Sequence, residues 1–173
     1  MAVTDTITPA YIKTNYLFGI DLTDDSGNAF PESLFTNSIN MAVGLIEARL
    51  DIVLSGLNDF DERHDVDSGM MESYYLIQLD RRPIRSITAA YVQYGGFDKS
   101  RLPDSFTHIS SEVGGQIQFI AGPEFYNVAG VGGQPIVVPG FLAGGQYLPL
   151  YLRFEYKAGF DGVTYPYPAE ILD

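Results

Sequence analysis

The stretch Pro31 to Leu54, PESLFTNSINMAVGLIEARLDIVL, constrains the fold more than any other part of the chain. Phe35, Ile39, Ala42, Ile46, Leu50 and Val53 recur at steps of three and four, and Leu34, Met41 and Leu45 widen that row into a stripe that reads as core-facing. Pro31 suits the first helical position, where a missing N–H costs nothing. Glu32 sets negative charge at the positive end of the helix dipole, and Ser55-Gly56 reads as the stop. The pattern predicts an amphipathic core helix over 31–54, about six turns long, with Thr36, Asn40, Glu47 and Asp51 turned to solvent or a neighbour.

Upstream, Thr8-Pro9 reads as a cap and first turn, opening a short helix through Leu17 that Gly19 ends. Asp21 to Asn28, DLTDDSGN, is a polar turn of side chains that bond their own backbone, and it lacks the ligand spacing of a calcium loop. Downstream of Gly56, residues 57–73 read as an acidic, solvated linker, with Asp59, Asp61, Glu62, Asp65 and Asp67 around His64. A metal held by His64 and two or three of these carboxylates, or calcium at Asp65, Asp67 and Glu72, is the sharper alternative. A single His makes a poor transition-metal set and the calcium series is incomplete, so no metal ligand is assigned.

From Tyr74 the period shortens. YYLIQL reads as a strand, as does Ile84 to Tyr94 after the break at Asp80-Arg81-Arg82-Pro83. Residues 97–104 read as a polar loop carrying Lys99 and Arg101, and 106–109 with 116–120 as a hairpin around Gly114-Gly115. Leu148 to Ala158, LPLYLRFEYKA, is the clearest strand, with Leu150, Leu152, Phe154 and Tyr156 on one face and Tyr151, Arg153, Glu155 and Lys157 on the other. Between them, 121–147 is rich in Gly and Pro and carries Glu124 as its one formal charge. Gly130-Val131-Gly132-Gly133 lacks the Lys-Ser/Thr of a phosphate-binding loop, and the third glycine and downstream acidic residue of a dinucleotide fingerprint are misplaced. The segment reads as an extended loop offering Phe125, Tyr126, Val137, Val138, Phe141, Leu142 and Tyr147 to a partner, with Lys99 and Arg101 as further contacts. After a turn-rich exit, Pro168 to Asp173 reads as the start of a helix.

These elements predict an α+β fold in one domain over 1–173: a helical part at 1–56, the linker at 57–73, an antiparallel β-rich part at 74–160 with the loop 121–147, and an exit at 161–173. Charge and composition narrow the function. A net charge of −12 disfavours wrapping nucleic acid, which takes clustered Lys and Arg. The absence of Cys excludes disulfides and thiolate metal sites. The N-terminus lacks a signal-peptide pattern and no apolar run reaches membrane-span length, so the expectation is a soluble protein made in the cytoplasm. With 12 Tyr and 11 Phe and only 18% charged residues, the composition leans toward subunit contacts. No Gly-x-Ser-x-Gly elbow or His-Glu-x-x-His motif is present, and no catalytic residue or cofactor is assigned.

Three motifs in order carry a family resemblance: Ile46-Glu47-Ala48-Arg49 late in the long helix, Leu79 to Ile87 with Arg82-Pro83-Ile84, and Tyr156-Lys157-Ala158-Gly159-Phe160 before Pro168-Ala169. Together they span about two thirds of the chain, and their arrangement resembles the head–tail connector (adaptor, or head-completion) proteins of tailed bacteriophages. The resemblance implies a non-enzymatic virion protein of the neck, made in the host cytoplasm, that forms a closed ring of about twelve copies. It implies docking on the portal protein, contact with tail or neck proteins, and a channel through which DNA passes without sequence-specific binding. A calcium- or carbohydrate-binding β-rich module is the alternative from another class, with exposed Tyr stacking on sugars, followed by a carboxylate-dependent hydrolase.

Overall fold

A computed structural model describes residues 3–66, 75–93, 100–119 and 148–167. The protein is α+β, with helices and two antiparallel sheets divided between two compact units.

The helical unit takes the described residues up to Leu57 together with those from Gly159 onward. It holds α1 (Val3–Thr6), α2 (Pro9–Asn15) and α3 (Glu32–Leu50). Thr8 caps α2, its hydroxyl accepting from the Tyr11 N–H at 3.2 Å, and Pro9 opens the helix. Between α2 and α3, Asp24 Oδ1 accepts from the backbone N–H groups of Ser26 and Asn28, so the acidic turn is closed by its own side chain. Those bonds, Asn28's foremost, hold the Asp24 carboxyl below its ordinary pKa.

The 19 residues of α3 are fewer than its apolar pattern implies. Pro31 stands just outside as the N-cap, and the helix ends at Asp51, which is left-handed at φ 54°. Glu47 explains the early stop. Its Oε1 accepts from the N–H groups of Leu54 at 2.6 Å and Ser55 at 2.7 Å, turning the chain back before Gly56. Val53 and Leu54 are therefore buried outside the helix, Leu54 in a core with Val3, Phe160 and Tyr167 on which Ile7, Val43 and Ile52 also pack. The Phe160 and Tyr167 rings lie 5.0 Å apart, and the Tyr167 hydroxyl donates to the Leu54 carbonyl at 3.2 Å.

The β unit spans Asn58–Ala158. Its strands are β1 (Asn58–Val66), β2 (Tyr75–Gln78), β3 (Ile84–Val92), β4 (Ser100–Arg101), β5 (Thr107–Ser111), β6 (Gln116–Phe119) and β7 (Leu148–Ala158). One sheet runs β1-β7-β3-β4 and the other β2-β6-β5. β7 is central in the first, so from Tyr151 to Phe154 it is buried on both faces, and Tyr156 and Ala158 are buried beyond. The β5–β6 hairpin forms around Gly114-Gly115 as its sequence signal implies. A β-carbon on Gly115, at φ +71°, would stand 2.9 Å from the Gln78 side chain and 3.3 Å from the Leu79 carbonyl oxygen, which ties this turn to the end of β2.

Two expectations are corrected. Residues 58–66 of the acidic stretch are not a solvated linker but a nine-residue strand along β7, because Asp59 and Asp61 find Lys157 and Arg153 there. Arg101, expected in a loop, is on the short strand β4, paired with Tyr91.

Candidate assembly surface

A further correction concerns α3, whose stripe was expected to face a core. No residue of α3 is buried. Phe35, Ile39, Val43 and Glu47 are half-covered and mark the side that meets the rest of the helical unit, with Lys13 of α2 set over the Phe35 ring at 4.7 Å. Leu34, Met41 and Leu45 lie roughly 160° around the helix from the centre of that side, at 100° per residue, and are 51%, 68% and 66% exposed. Ile46 and Leu50, on the covered side but nearer the C-terminus, remain 42% and 52% exposed. Sequence periodicity found Leu34, Phe35, Ile39, Met41, Leu45, Ile46 and Leu50 and misread what covers them, since a stripe reports apolarity and not the identity of the neighbour; it passed over Val43 and turned the half-covered Glu47 outward.

The segment between α2 and α3 extends this apolar exposure. Phe18 is 88% exposed, and Tyr16, Ile20 and Phe30 are exposed as well. Isolated exposed apolar side chains are ordinary, whereas a run of them along one helix and its lead-in marks a contact surface.

In the β unit the titratable groups sort by strand alternation. Asp59, Asp61 and Arg63 lie on one face of β1, and Phe60, Glu62 and His64 on the other, while Asp65 falls at the irregularity between His64 and Val66. This splits the carboxylates expected around His64, leaving Glu62 as its neighbour, with His64 Nε2 2.6 Å from Glu62 Oε1. Among the described residues no group of three or more His, Asp or Glu is placed to hold a metal ion. Asp67 and Glu72 lie outside the described residues.

Glu62 joins three elements. It accepts from the Tyr156 hydroxyl of β7 at 2.7 Å and from the Asp80 N–H at 3.0 Å, while the same Tyr156 oxygen accepts from the Arg81 N–H at 3.2 Å. Burial works against the Glu62 charge, but His64, Tyr156 and the Asp80 N–H together outweigh it and hold the carboxyl below its ordinary pKa. Burial foremost, and then the hydrogen bond to Glu62 and its charge, push the Tyr156 hydroxyl well above its own. On the opposite face, Arg153 of β7 is buried, pairs with Asp61 and with Glu155 at 2.7 Å, and lies against the Tyr91 ring at 5.2 Å. These networks connect strands, and each acid is engaged by a named donor. A shallow cleft of about 330 Å³ beside them is lined by Asp61, Thr88, Arg153 and Glu155.

No protein-family model and no curated protein sequence matches this chain.

Of the contacts expected from sequence, Lys99, Phe125, Tyr126, Val137, Val138, Phe141, Leu142 and Tyr147 lie outside the described residues. Arg101 is exposed, and its guanidinium donates to the Asp104 carboxylate at 3.2 Å and to the Thr88 carbonyl at 3.5 Å. Among the described residues no helix is long and apolar enough to cross a membrane.

Proposed function

We propose that this protein is a structural, ring-forming head–tail connector of a tailed-phage virion, docking on the portal, prolonging the DNA channel and offering a platform to the tail, without catalytic activity. The observation that carries the reading is α3, a long helix with no buried residue and five large apolar side chains open to solvent. A chain that leaves such a helix uncovered buries it in an assembly. The net charge of −12 supports a channel wall that repels passing DNA instead of holding it. The Gly- and Pro-rich segment 121–147, with Phe125, Tyr126, Val137, Val138, Phe141, Leu142 and Tyr147, supplies further contacts to portal, tail or neighbouring copies in this reading, and the protein resides in the neck of the virion.

The native mass of the full chain, by native mass spectrometry and particle imaging of its assembled source, tests the reading. A closed ring of about a dozen copies is expected. A chain that remains monomeric with portal present overturns it.

A further inference from the structure

We infer that the outer edge of β5 takes an extended, basic segment of a different protein as an added strand, laid in the cleft between β5 and β3. The site lies wholly in the β unit and depends neither on ring formation nor on a virion, so its failure leaves the connector reading standing.

A cavity of about 590 Å³ separates the two strands, within the size of sites that hold a ligand or a short segment. Ile87 and Ala90 of β3 line one side, and Thr107, His108, Ile109 and Ser110 of β5 line the other. Successive side chains of a strand point to opposite faces, so a cleft set against a face meets every second residue. Here four consecutive residues meet the cleft, which places it along the backbone edge of β5. The two strands close on each other at both ends of the cleft. The Ile84 N–H donates to the Glu112 carbonyl at 2.9 Å, and the Leu102 N–H donates to the Ala90 carbonyl at 2.8 Å. Between these bonds, among the described residues, no strand pairs with this edge of β5.

The ladder fixes which backbone groups face the cleft. The Thr107 N–H donates to the Asp104 carbonyl and so points away from β6. Thr107 stands opposite Phe119, and Ile109 opposite Ile117. Residues two apart in an antiparallel ladder share one orientation, so Ile109 also turns its N–H and C=O away from β6, into the cleft. No described residue outside β6 bonds to either group. One donor and one acceptor at strand spacing are matched by another strand. Ile87 and Ala90 then offer an apolar wall to alternate side chains of the incoming segment.

Charge selects the partner. The described lining holds Asp104 and Glu112, near the two ends of β5, and neither Lys nor Arg. Both carboxylates are exposed, and the arginines that pair with them, Arg101 and Arg85, stand outside the lining. With −12 on the whole chain, an acidic segment is repelled from this cleft, a second copy of the chain included, and a segment with Lys or Arg at its ends is drawn to it. The edge strand β1 carries Asp59, Asp61, Glu62 and Asp65, charges of the kind that keep an edge from pairing. β5, Thr-His-Ile-Ser-Ser, carries no carboxylate.

The test is calorimetric titration of the full chain with a peptide of about seven residues, long enough to span β5, with lysine at each end and alternating valine and threonine between. Hydrogen exchange of the Ile109 amide is followed alongside. Ile109→Pro removes the outward N–H and no bond to β6, a change that edge strands tolerate. Asp104→Lys combined with Glu112→Lys reverses the acidic ends, and Asp25→Lys, exposed in the helical unit, is the control. The lysine-ended peptide is expected to bind and to slow exchange at Ile109. Glutamate in place of both lysines, the Ile109→Pro change and the paired charge reversal each raise Kd at least about tenfold, and Asp25→Lys leaves it unchanged. No binding, or binding without slowed exchange at Ile109, overturns the inference. A glutamate-ended peptide that binds equally well overturns the basic partner. Binding undiminished by Ile109→Pro overturns strand addition. If the proline variant does not fold, the same peptide with every backbone nitrogen methylated decides, since it has no N–H to give the Ile109 carbonyl: lost binding supports strand addition, and undiminished binding overturns it.

Discussion

The Tyr156 hydroxyl and the Glu62 carboxylate are bonded at 2.7 Å across the β1–β7 pair, and the same carboxylate holds the Asp80 N–H at 3.0 Å. One side chain thus fastens the edge strand β1 both to the central strand and to the turn that leads into β3. Glu62→Ala leaves a hydroxyl and an amide without their acceptor and is expected to cost about 2–3 kcal/mol in chemical denaturation. Glu62→Gln keeps an acceptor and costs less. The pH dependence separates charge from geometry. Because the folded-state pKa of Glu62 lies below the ordinary value of 4.5, its contribution is fully present above pH 4.5 and is lost as the pH falls through the depressed value. Stability of the Glu62→Gln variant is therefore expected to fall less steeply than wild type below pH 4.5. Parallel acid limbs would show that this carboxylate is not the coupled group.

Gly159 lies against the carbonyl oxygen of Gly56 with no room for a β-carbon, and the Val53 side chain would be 3.0 Å from one. Its φ of +115° is also one that L-residues rarely adopt. Backbone oxygen cannot swing aside as a side-chain terminus can, so Gly159→Ala is expected to destabilise by about 3 kcal/mol or more. Gly19→Ala, at φ +80° with open space around it, isolates the conformational part and costs about 1 kcal/mol. Equal melting temperatures for the two variants would remove the steric argument.

The same contrast between what a residue is and what covers it decides how much of the fold was legible. β7 could be read because its alternation is sustained over many residues, and the β5–β6 hairpin because Gly114-Gly115 gives its turn chemistry. β1 was misread because its alternation is written almost wholly in polar residues. Phe60 is apolar, but Glu62 and His64 share its face, so no period-two apolar signal emerges. The missed signal was complementarity at a distance: Asp59 and Asp61 against Lys157 and Arg153, matching charge spacings nearly a hundred residues apart. α3 was found as a helix and misplaced as a core element, because an exposed apolar row and a half-covered one produce the same i, i+3, i+4 pattern as a buried stripe. Its length was overestimated because the Glu47 cap that turns the chain at Leu54 leaves no mark on apolar periodicity.

Arg153 is buried on the central strand with Asp61 and Glu155 as its carboxylate partners, and these bonds, Asp61's foremost, raise its pKa. Asp61→Ala removes the principal partner while Glu155 stays, with an expected cost of about 2 kcal/mol. Asp59→Ala breaks the more exposed pair with Lys157 and is expected to cost less than about 1 kcal/mol. Arg153→Met in the Asp61→Ala background removes the stranded charge, so the double variant should lose clearly less stability than the sum of the two single changes. Additive losses in urea denaturation would mean that Arg153 and Asp61 do not act as a unit.

Tyr167 provides the alkaline counterpart to Glu62. It is buried against Phe160, and burial foremost, with the negative charges of Asp5, Asp161 and Glu47, pushes its hydroxyl up to about 12 from an ordinary 10.0. A raised folded-state pKa means that the folded chain holds the proton after the unfolded chain has lost it. The contribution is then fully present below pH 10 and is lost as the pH rises through about 12. Tyr167→Phe forfeits the hydrogen bond to the Leu54 carbonyl, a loss of about 1 kcal/mol at neutral pH, and keeps the ring in the core. Above pH 10 its stability is expected to decline less than wild type, so the two melting curves converge. If the gap between them stays constant up to pH 12, the Tyr167 hydroxyl is not held in its neutral form by the fold, and the packing of α1, Leu54 and Phe160 around it is looser than the hydrogen bond implies.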